Sequence, residues 1–489
     1  MVPHDPCPSR AAPRSTGVGR REFLLASAGV IAAPLVRQPD RAQVVVVGAG
    51  ISGLTAALEL SRKGVDVQVL EATTRPGGRF ESVFFDGIAA NVGVQWVNAG
   101  VSPLVDSFLE RIPRQPLGSG GGGWALGWDG KLIELGGAES FADSLPFPEK
   151  AKKDLAASIA KMRRDAQALY PGVDLGNERS WRHVFELPSG SALWRRLEST
   201  PISAYLAEFD PVVTTIWGTR VSAGFGGTAD TISALFLVGW YRGNPFFPVT
   251  ILKGGNQRLT DDMAAAVETA GRPIVYGAEV ASITQDDRGV AVACSGGRTY
   301  AANRCIVTTP IGVTRRIVKG LPPAKEEAFA AVRYVPLTSI ALHVRNFPDA
   351  ARLSGVLFVN GNTAAIVNQT GPVAGKPKEG TVLVVVVTDP RRTGLPDDEL
   401  VALAVGDLQV VNPSFVRARD ILGSAVRKYA VGEIHVTPDF VSRHLETLRK
   451  PVGRIHFGGE FVSNFPTWGG AVWGGEQAAA EALKGLRAV

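Results

Sequence analysis

At 489 residues the chain exceeds what one ordinary core organises and fits two domains or one large interrupted one, with room inside for a sizeable ligand. An apolar fraction of 45% and a charged fraction of 20% exclude a disordered chain, a collagen-like repeat and a many-span membrane protein. Net charge is +6, but the first 33 residues hold four arginines and two acids, so the rest carries only +4; with no basic stripe interleaved with aromatics, nothing points to nucleic-acid binding.

The stretch "GRREFLLASAGVIAAP" (Gly19–Pro34) sets paired arginines before a short apolar run that ends in small residues. That order resembles a twin-arginine export signal, read over residues 1–36, and implies the twin-arginine translocation machinery and a periplasmic or secreted destination. The apolar part, Phe23–Pro34, is shorter than the ~20 residues of a spanning helix. Ile31-Ala32-Ala33 is an imperfect cleavage pattern, so a retained anchor stays open beside a cleaved signal. The cysteines are Cys7, Cys294 and Cys305, which leaves at most one disulfide outside the leader. The histidines are scattered without metal-ligand spacing, so no metal site is expected.

Gln43–Val47 reads as a strand whose apolar run is continuous, as in a parallel strand covered on both faces. Leu54–Lys63 follows as a helix, Gly64 stops it, and Val65–Leu70 is the next strand. Between the first strand and the helix stand Gly48, Gly50 and Gly53, a G-x-G-x-x-G. The first allows a tight turn, the second lets backbone approach a pyrophosphate, and the third lets helix and strand pack closely. Phosphates would meet Ile51 and Ser52 at the helix N-terminus, where free N–H groups and the dipole favour negative charge. Glu71 closes the second strand, with Ala72 beside it, where a carboxylate accepts hydrogen bonds from a ribose. With strand, helix, second strand and acid in register, the unit reads as a dinucleotide site, for a nicotinamide or a flavin.

Val105–Arg111 reads as a helix. "LGSGGGGW" (Leu117–Trp124) lacks a strand-to-helix context and reads as a mobile surface loop rather than a second phosphate loop. Glu149–Tyr170 places Leu155, Ile159, Met162, Ala166 and Leu169 at helical spacing. Its remaining lysines and arginines read as a solvated face, with contact to a membrane or an anionic partner as the sharper alternative. "GGNQRLTDDMAAAV" (Gly254–Val267) is a turn and helix, followed by strands near Ile274–Tyr276, Glu279–Gln285, Val290–Ser295 and Cys305–Thr308. Farther on come strands at Ser339–Val344 and Thr381–Val387 and a helix near Asp398–Val410. "GRIHFGGE" (Gly453–Glu460) is a strand running into a glycine turn, and Gly469–Ala488 is a closing helix.

"ATTRPGGRFES" (Ala72–Ser82) adds Gly77-Gly78-Arg79 directly behind the acid. This extended fingerprint resembles the flavin amine oxidase family, whose relatives include polyamine oxidases, L-amino-acid oxidases, protoporphyrinogen oxidases and carotenoid-type desaturases. The resemblance implies FAD, with Arg79 lying along its diphosphate as a fixed cation. "NVGVQWV" (Asn91–Val97) resembles the segment passing beside the flavin ring, which assigns Gly93, Val94, Gln95 and Trp96 to the cofactor. "GAEVASI" (Gly277–Ile283) resembles the segment at the adenine end, with Val280 as the contact. "CIVTTPIGV" (Cys305–Val313) matches the strand and turn that re-enter the cofactor domain. "IHFGGEFVSNFPTWGGAVWGGEQAA" (Ile455–Ala479) resembles the closing block, with Glu460 at the ribityl–phosphate region and Trp468 next to the ring.

Three departures bear on the chemistry. In "YVPLTSIAL" (Tyr334–Leu342) Ser339 stands where the family carries a lysine that holds a water against flavin N5, which removes a cation and puts fast reaction with oxygen in doubt. Thr467 precedes Trp468 where monoamine oxidases have an aromatic, leaving Phe465, Trp468 and Trp473 as aromatic pocket candidates beside Ser339. No cysteine lies near Lys428-Tyr429, where covalently flavinylated relatives carry one, so FAD is expected to bind noncovalently.

The resemblance thus implies an α/β fold: a Rossmann-like FAD-binding domain (42–100, 250–330 and 450–489) interleaved with an α+β substrate-binding domain (101–249 and 331–449). The activity it implies is oxidation of a C–N bond of a small-molecule amine or amino acid, by hydride transfer to the flavin. Dehydrogenation of a C–C or ring substrate, as in desaturases and protoporphyrinogen oxidases, is the alternative. A flavin-binding partner protein without turnover is the non-enzymatic one.

Overall fold

The computed structural model describes residues 41–487 apart from 117–122, 136–140, 187–189, 243–249, 346, 348–352, 372–374 and 376. The leader, with its paired arginines and Cys7, and most of the glycine-rich tract after Pro116 lie outside the described residues.

The run AQVVVV forms the strand Ala42–Val47 and is buried on both sides except at Gln43. It pairs in parallel with Val67–Leu70 on one edge and with Thr299–Val307 on the other. The far edge of Thr299–Val307 is shared: its first half takes Gly289–Cys294 antiparallel, and its second half takes Ile455–Phe457 in parallel. Val280–Asp286 completes this six-stranded sheet. Four strands therefore finish at one end, and the loops that leave them begin at Gly48, Glu71, Thr308 and Gly458. In an open parallel sheet ligands bind at that carboxyl end. The helix Ile51–Ser61 leaves the first of these loops and packs on the closing helix Trp468–Arg487 and on Gln257–Ala270.

A second sheet of seven strands runs in the order Ile421–Ile434, Tyr334–Val344, Thr381–Val387, Ala365–Asn368, Leu353–Phe358, Gly123–Trp128 and Lys131–Glu134. Thr381–Val387 (TVLVVVV) is buried throughout, as a central strand requires. The helix Asp397–Val411 lays Leu400, Val401, Ala404 and Leu408 against this sheet. The expected stripe of Glu149–Leu169 is buried at Leu155, Ile159, Met162, Ala166 and Leu169, while Lys150 pairs with Asp154 and Lys161 with Glu208 on its outer side. Among the described residues no helix is long and apolar enough to cross a membrane.

Several elements differ from the sequence reading. Ile274–Tyr276 is not a regular strand: Val275 makes one parallel bridge to Leu70, confined between Pro273 and Gly277. Gly123 and Trp124 open a strand instead of ending a loop. Pro211–Phe225, to which the sequence reading assigned no element, is a helix although its sequence, PVVTTIWGTRVSAGF, is rich in β-branched residues of low helix propensity. Asp210 caps it by accepting the Val212 N–H at 3.1 Å, Pro211 starts it, and Val213, Ile216, Trp217 and Val221 bury its inner face.

Lys325, only 3% exposed, fixes the approach to the last strand of the first sheet. Its Nζ donates to the carbonyls of Thr447 (2.7 Å), Leu448 (2.8 Å) and Lys450 (2.5 Å), at the end of the helix Phe440–Arg449, and sits 4.1 Å from the Phe457 ring centre. Burial pulls this ammonium down to about 7, with Glu481 opposing, and its three donors are matched to three carbonyls. A Lys325→Met variant leaves those carbonyls unpaired and is expected to lose about 3 kcal/mol of stability in urea unfolding. A loss under about 1 kcal/mol would show that water replaces the ammonium there.

Candidate functional site

The carboxyl ends of the parallel strands open onto a cavity of about 620 Å³. Its three fingerprint glycines occupy different surroundings. Gly48 has φ +104°, and a Cβ on it would stand 2.8 Å from Thr308 Oγ1. A Cβ on Gly53 would collide with the Gly48 carbonyl, so this glycine lies behind the loop and lets the helix seat on the strand. A Cβ on Gly50 would meet nothing within 4 Å, because that position faces the cavity. The helix Ile51–Ser61 starts beside it, and the first N–H groups of a helix have no intrahelical partner. Ser52 Oγ is buried there with no hydrogen-bond partner among the described residues. A cradle without side chains, a free helix start and an orphaned hydroxyl together fit an anionic phosphate group.

Glu71 staples the second strand to this loop. Its Oε2 accepts the Ala49 N–H at 2.8 Å, and its Oε1 accepts from Thr73 N at 2.9 Å and Thr73 Oγ1 at 2.8 Å. A carboxylate keeps further lone pairs for hydroxyl donors. Ala72 and Val280 stand beside it in the same wall, where the Ala278 N–H reaches the Glu71 carbonyl at 2.8 Å.

Gly77 and Gly78, with φ +99° and +56°, turn the chain so that Arg79 enters the cavity wall. A Cβ on Gly93 would collide with the Arg79 carbonyl, so the segment after the strand Ile88–Asn91 can pass only as glycine. Val94 adjoins it in the wall. The Arg79 guanidinium donates to the Gly432 carbonyl and pairs with Glu460 at 2.6 Å. Burial works against its charge, but Glu460 and Glu433 hold its pKa above the ordinary arginine value. Glu433 lies in the same wall; burial, opposed by Arg79 and reinforced by Glu460, pushes it up to about 8.

At the far end the closing helix begins with Trp468, edge-on to Phe80 with ring centres 5.9 Å apart, and Trp468 and Ala471 line the cavity. The structure thus gathers Gly48, Gly50, Ile51, Ser52, Glu71, Ala72, Gly78, Arg79, Gly93, Val94, Val280, Glu460 and Trp468 around one space. Six other candidates stand outside its lining, among them Trp473, whose ring centre lies 4.6 Å from the Arg449 guanidinium. Gly53 is behind the loop. Gln95 is buried with its Oε1 unpartnered, and Trp96 packs against Ile251 and Val367. Phe465 is fully buried against Phe236, with ring centres 5.8 Å apart. Ser339 is fully buried between Val386 and Arg427 with its Oγ unpartnered, while Leu337, two residues earlier on the strand, lines the cavity. Sequence reasoning missed Glu433, Gly432, Leu337 and Thr308. Pro336 and Gly432, each out of place in a strand, were the available signal for the first three.

Among the described residues no cluster of His, Cys, Asp and Glu forms a metal site. Cys294 and Cys305 are both free and buried. A glycine loop before a helix, an acid on the next strand and an arginine facing one cavity make this a dinucleotide-binding protein of the flavoprotein kind. Residues 51–483 match the model of the flavin-containing amine oxidoreductases, and the chain belongs to that family. It is 27% identical over 462 residues to polyamine oxidase 1 of Zea mays, covering 86% of each chain. It is 26% identical over 489 aligned residues to an L-amino acid dehydrogenase of Synechocystis sp., covering 90% of this chain and 94% of that one. Its mixed α/β fold is similar to that of putrescine oxidase bound to putrescine, with a TM-score of 0.75 at 22% identity over 91% of this chain and 99% of that one. The protein is an FAD-dependent oxidoreductase. FAD supplies the hydride acceptor; the protein's part is to bind it, orient it and keep water from the reacting face.

Proposed function

We propose that FAD lies extended along the cavity and that the enzyme uses it to oxidise the C–N bond of a small-molecule amine or amino acid, giving an imine that hydrolyses in water. The observation that carries this reading is that one cavity is lined together by Glu71 and Val280, by Gly50 and Ser52 of the glycine loop, by Arg79, and by Leu337 and Trp468. Glu71 takes the ribose, Gly48–Ser52 and Arg79 the diphosphate, and Trp468 the neighbourhood of the ring. FAD is held noncovalently, since the wall segment Lys428–Glu433 carries no cysteine. The stretches that build the first sheet make the cofactor half, and those that build the second make the substrate half. The names of the relatives, polyamine oxidase and L-amino acid dehydrogenase, favour amine chemistry over desaturation.

Anaerobic mixing of the yellow holoprotein with a panel of polyamines, monoamines and L-amino acids tests this. At least one is expected to bleach the flavin and release a carbonyl product; no bleaching by any of them, with bleaching by a ring substrate, would favour the desaturase reading. By the family resemblance Ser339 replaces a lysine that relatives hold against the flavin, so the bleached flavin is expected to recover its colour slowly in air and quickly with a quinone acceptor.

We also read Gly19–Pro34 as directing export by the twin-arginine route. Replacing Arg20 and Arg21 with lysines is expected to leave the protein in the cytoplasm; unchanged export would refute that address.

A further inference from the structure

The strand Ile421–Ile434 departs from its ladder with Tyr334–Val344 beside the cavity. Leu337 pairs with Tyr429 and Val335 with Glu433, so Pro336 alone faces Ala430, Val431 and Gly432. Proline has no N–H to give the ladder, and a Cβ on Gly432 would stand 2.6 Å from the Val335 carbonyl. Such a bulge re-aims side chains, and here Ala430–Glu433 become cavity wall. Gly432 thereby offers its carbonyl to Arg79, and Glu433 brings a second carboxylate to a guanidinium that Glu460 already holds at 2.6 Å.

Arg79 therefore sets one positive charge against two carboxylates. A doubly anionic diphosphate laid beside it adds like charge close to Glu433, and a like charge at short range favours the protonated acid. We infer that Glu433 takes up a proton as FAD binds, so that cofactor and proton are held together and FAD loosens when Glu433 ionises. This rests on the reading that the diphosphate lies at Arg79. Burial lifts Glu433 to about 8, with Arg79 pulling it down and Glu460 pushing it up.

The other groups facing this corner leave Glu433 as the one to respond. Tyr334, on the opposite strand, has its pKa raised by burial. Tyr429 is raised likewise and gives its hydroxyl to Glu81 at 2.9 Å, and Glu81 is held low by Arg427 and Arg75 against its burial. His435, two residues on, is lowered by burial. Lys428 pairs with Asp397 at 2.7 Å, and Arg316 is a further cation of the wall.

Binding that raises the pKa of Glu433 gives an affinity that is full below its cofactor-free value and falls as pH rises through and beyond it. Holoprotein diluted at a series of pH values from 6.5 to 9.5, with released FAD read by its fluorescence, is the test. The dissociation constant is expected to hold steady to about pH 8 and then rise about tenfold per pH unit. In Glu433→Gln, and in Glu433→Leu should the first fail to fold, it is expected to stay low and flat. A flat profile for the native protein, or an unchanged slope in either variant, overturns the inference. Arg79→Met separates the two readings: affinity lost in it at pH 6.5 beside a flat native profile sinks the proton uptake alone, whereas unchanged affinity sinks the placement of the diphosphate and the uptake with it.

Discussion

A Gly50→Asp variant is expected to purify folded and colourless, with FAD affinity reduced about 1,000-fold or more, equivalent to ~4 kcal/mol. Gly50 has φ −69° and ψ 174°, an extended conformation open to any residue, and its Cβ direction is empty cavity. Aspartate is also a strong N-cap for the helix that follows, so the fold gains at this position while the anion site is filled by a carboxylate. Gly53→Val, three residues on, is expected to fail in the opposite way. Its Cβ meets the Gly48 carbonyl, a backbone atom that cannot swing aside, and the cost of about 3 kcal/mol falls on the protein itself. Absorbance of the purified proteins and thermal unfolding separate the two outcomes. A yellow Gly50→Asp protein would remove the diphosphate from this loop.

That contrast shows how far the sequence carries. The glycine loop, the helix behind it and Glu71 were legible because each answers a local demand: a positive φ at Gly48, a close packing at Gly53, an acid at the end of a strand. The stripe of Glu149–Leu169 was legible because burial repeats every helical turn. What holds Arg79 was not, since Glu460 and Gly432 arrive from distant parts of the chain and meet it only once both sheets are assembled. Glu433 looks like one more charge on a half-exposed strand, and only the irregular pairing around Pro336 turns it toward Arg79. For Phe465 the sequence left a pocket wall and core packing both open, because an aromatic side chain carries no local mark of which it faces, and the residue is buried against Phe236.

Arg79→Met is expected to weaken FAD binding about 1,000-fold, and also to injure the protein without its cofactor, which Gly50→Asp does not. Removing the guanidinium leaves Glu460 and Glu433 in one wall with no counterion between them, and breaking a buried pair from one side costs about 3–5 kcal/mol in closed interiors. Solvent reaching the cavity reduces that figure here, since the Arg79 side chain keeps 32% of its surface exposed. The sign of the pH dependence follows from Glu433. Its folded value of about 8 lies above that of an unfolded glutamate, so its favourable contribution is complete in acid and is lost as pH rises toward 8. Arg79 opposes that rise, so without it the folded value climbs further and the loss continues above pH 8. With Gly50→Asp as the cofactor-free reference, the gap in thermal midpoint between it and Arg79→Met is expected to widen from pH 7 to pH 9. A gap that stays constant would mean that Glu433 draws no stabilisation from the arginine, and that the ion pair with Glu460 is the whole of what Arg79 does in the empty site.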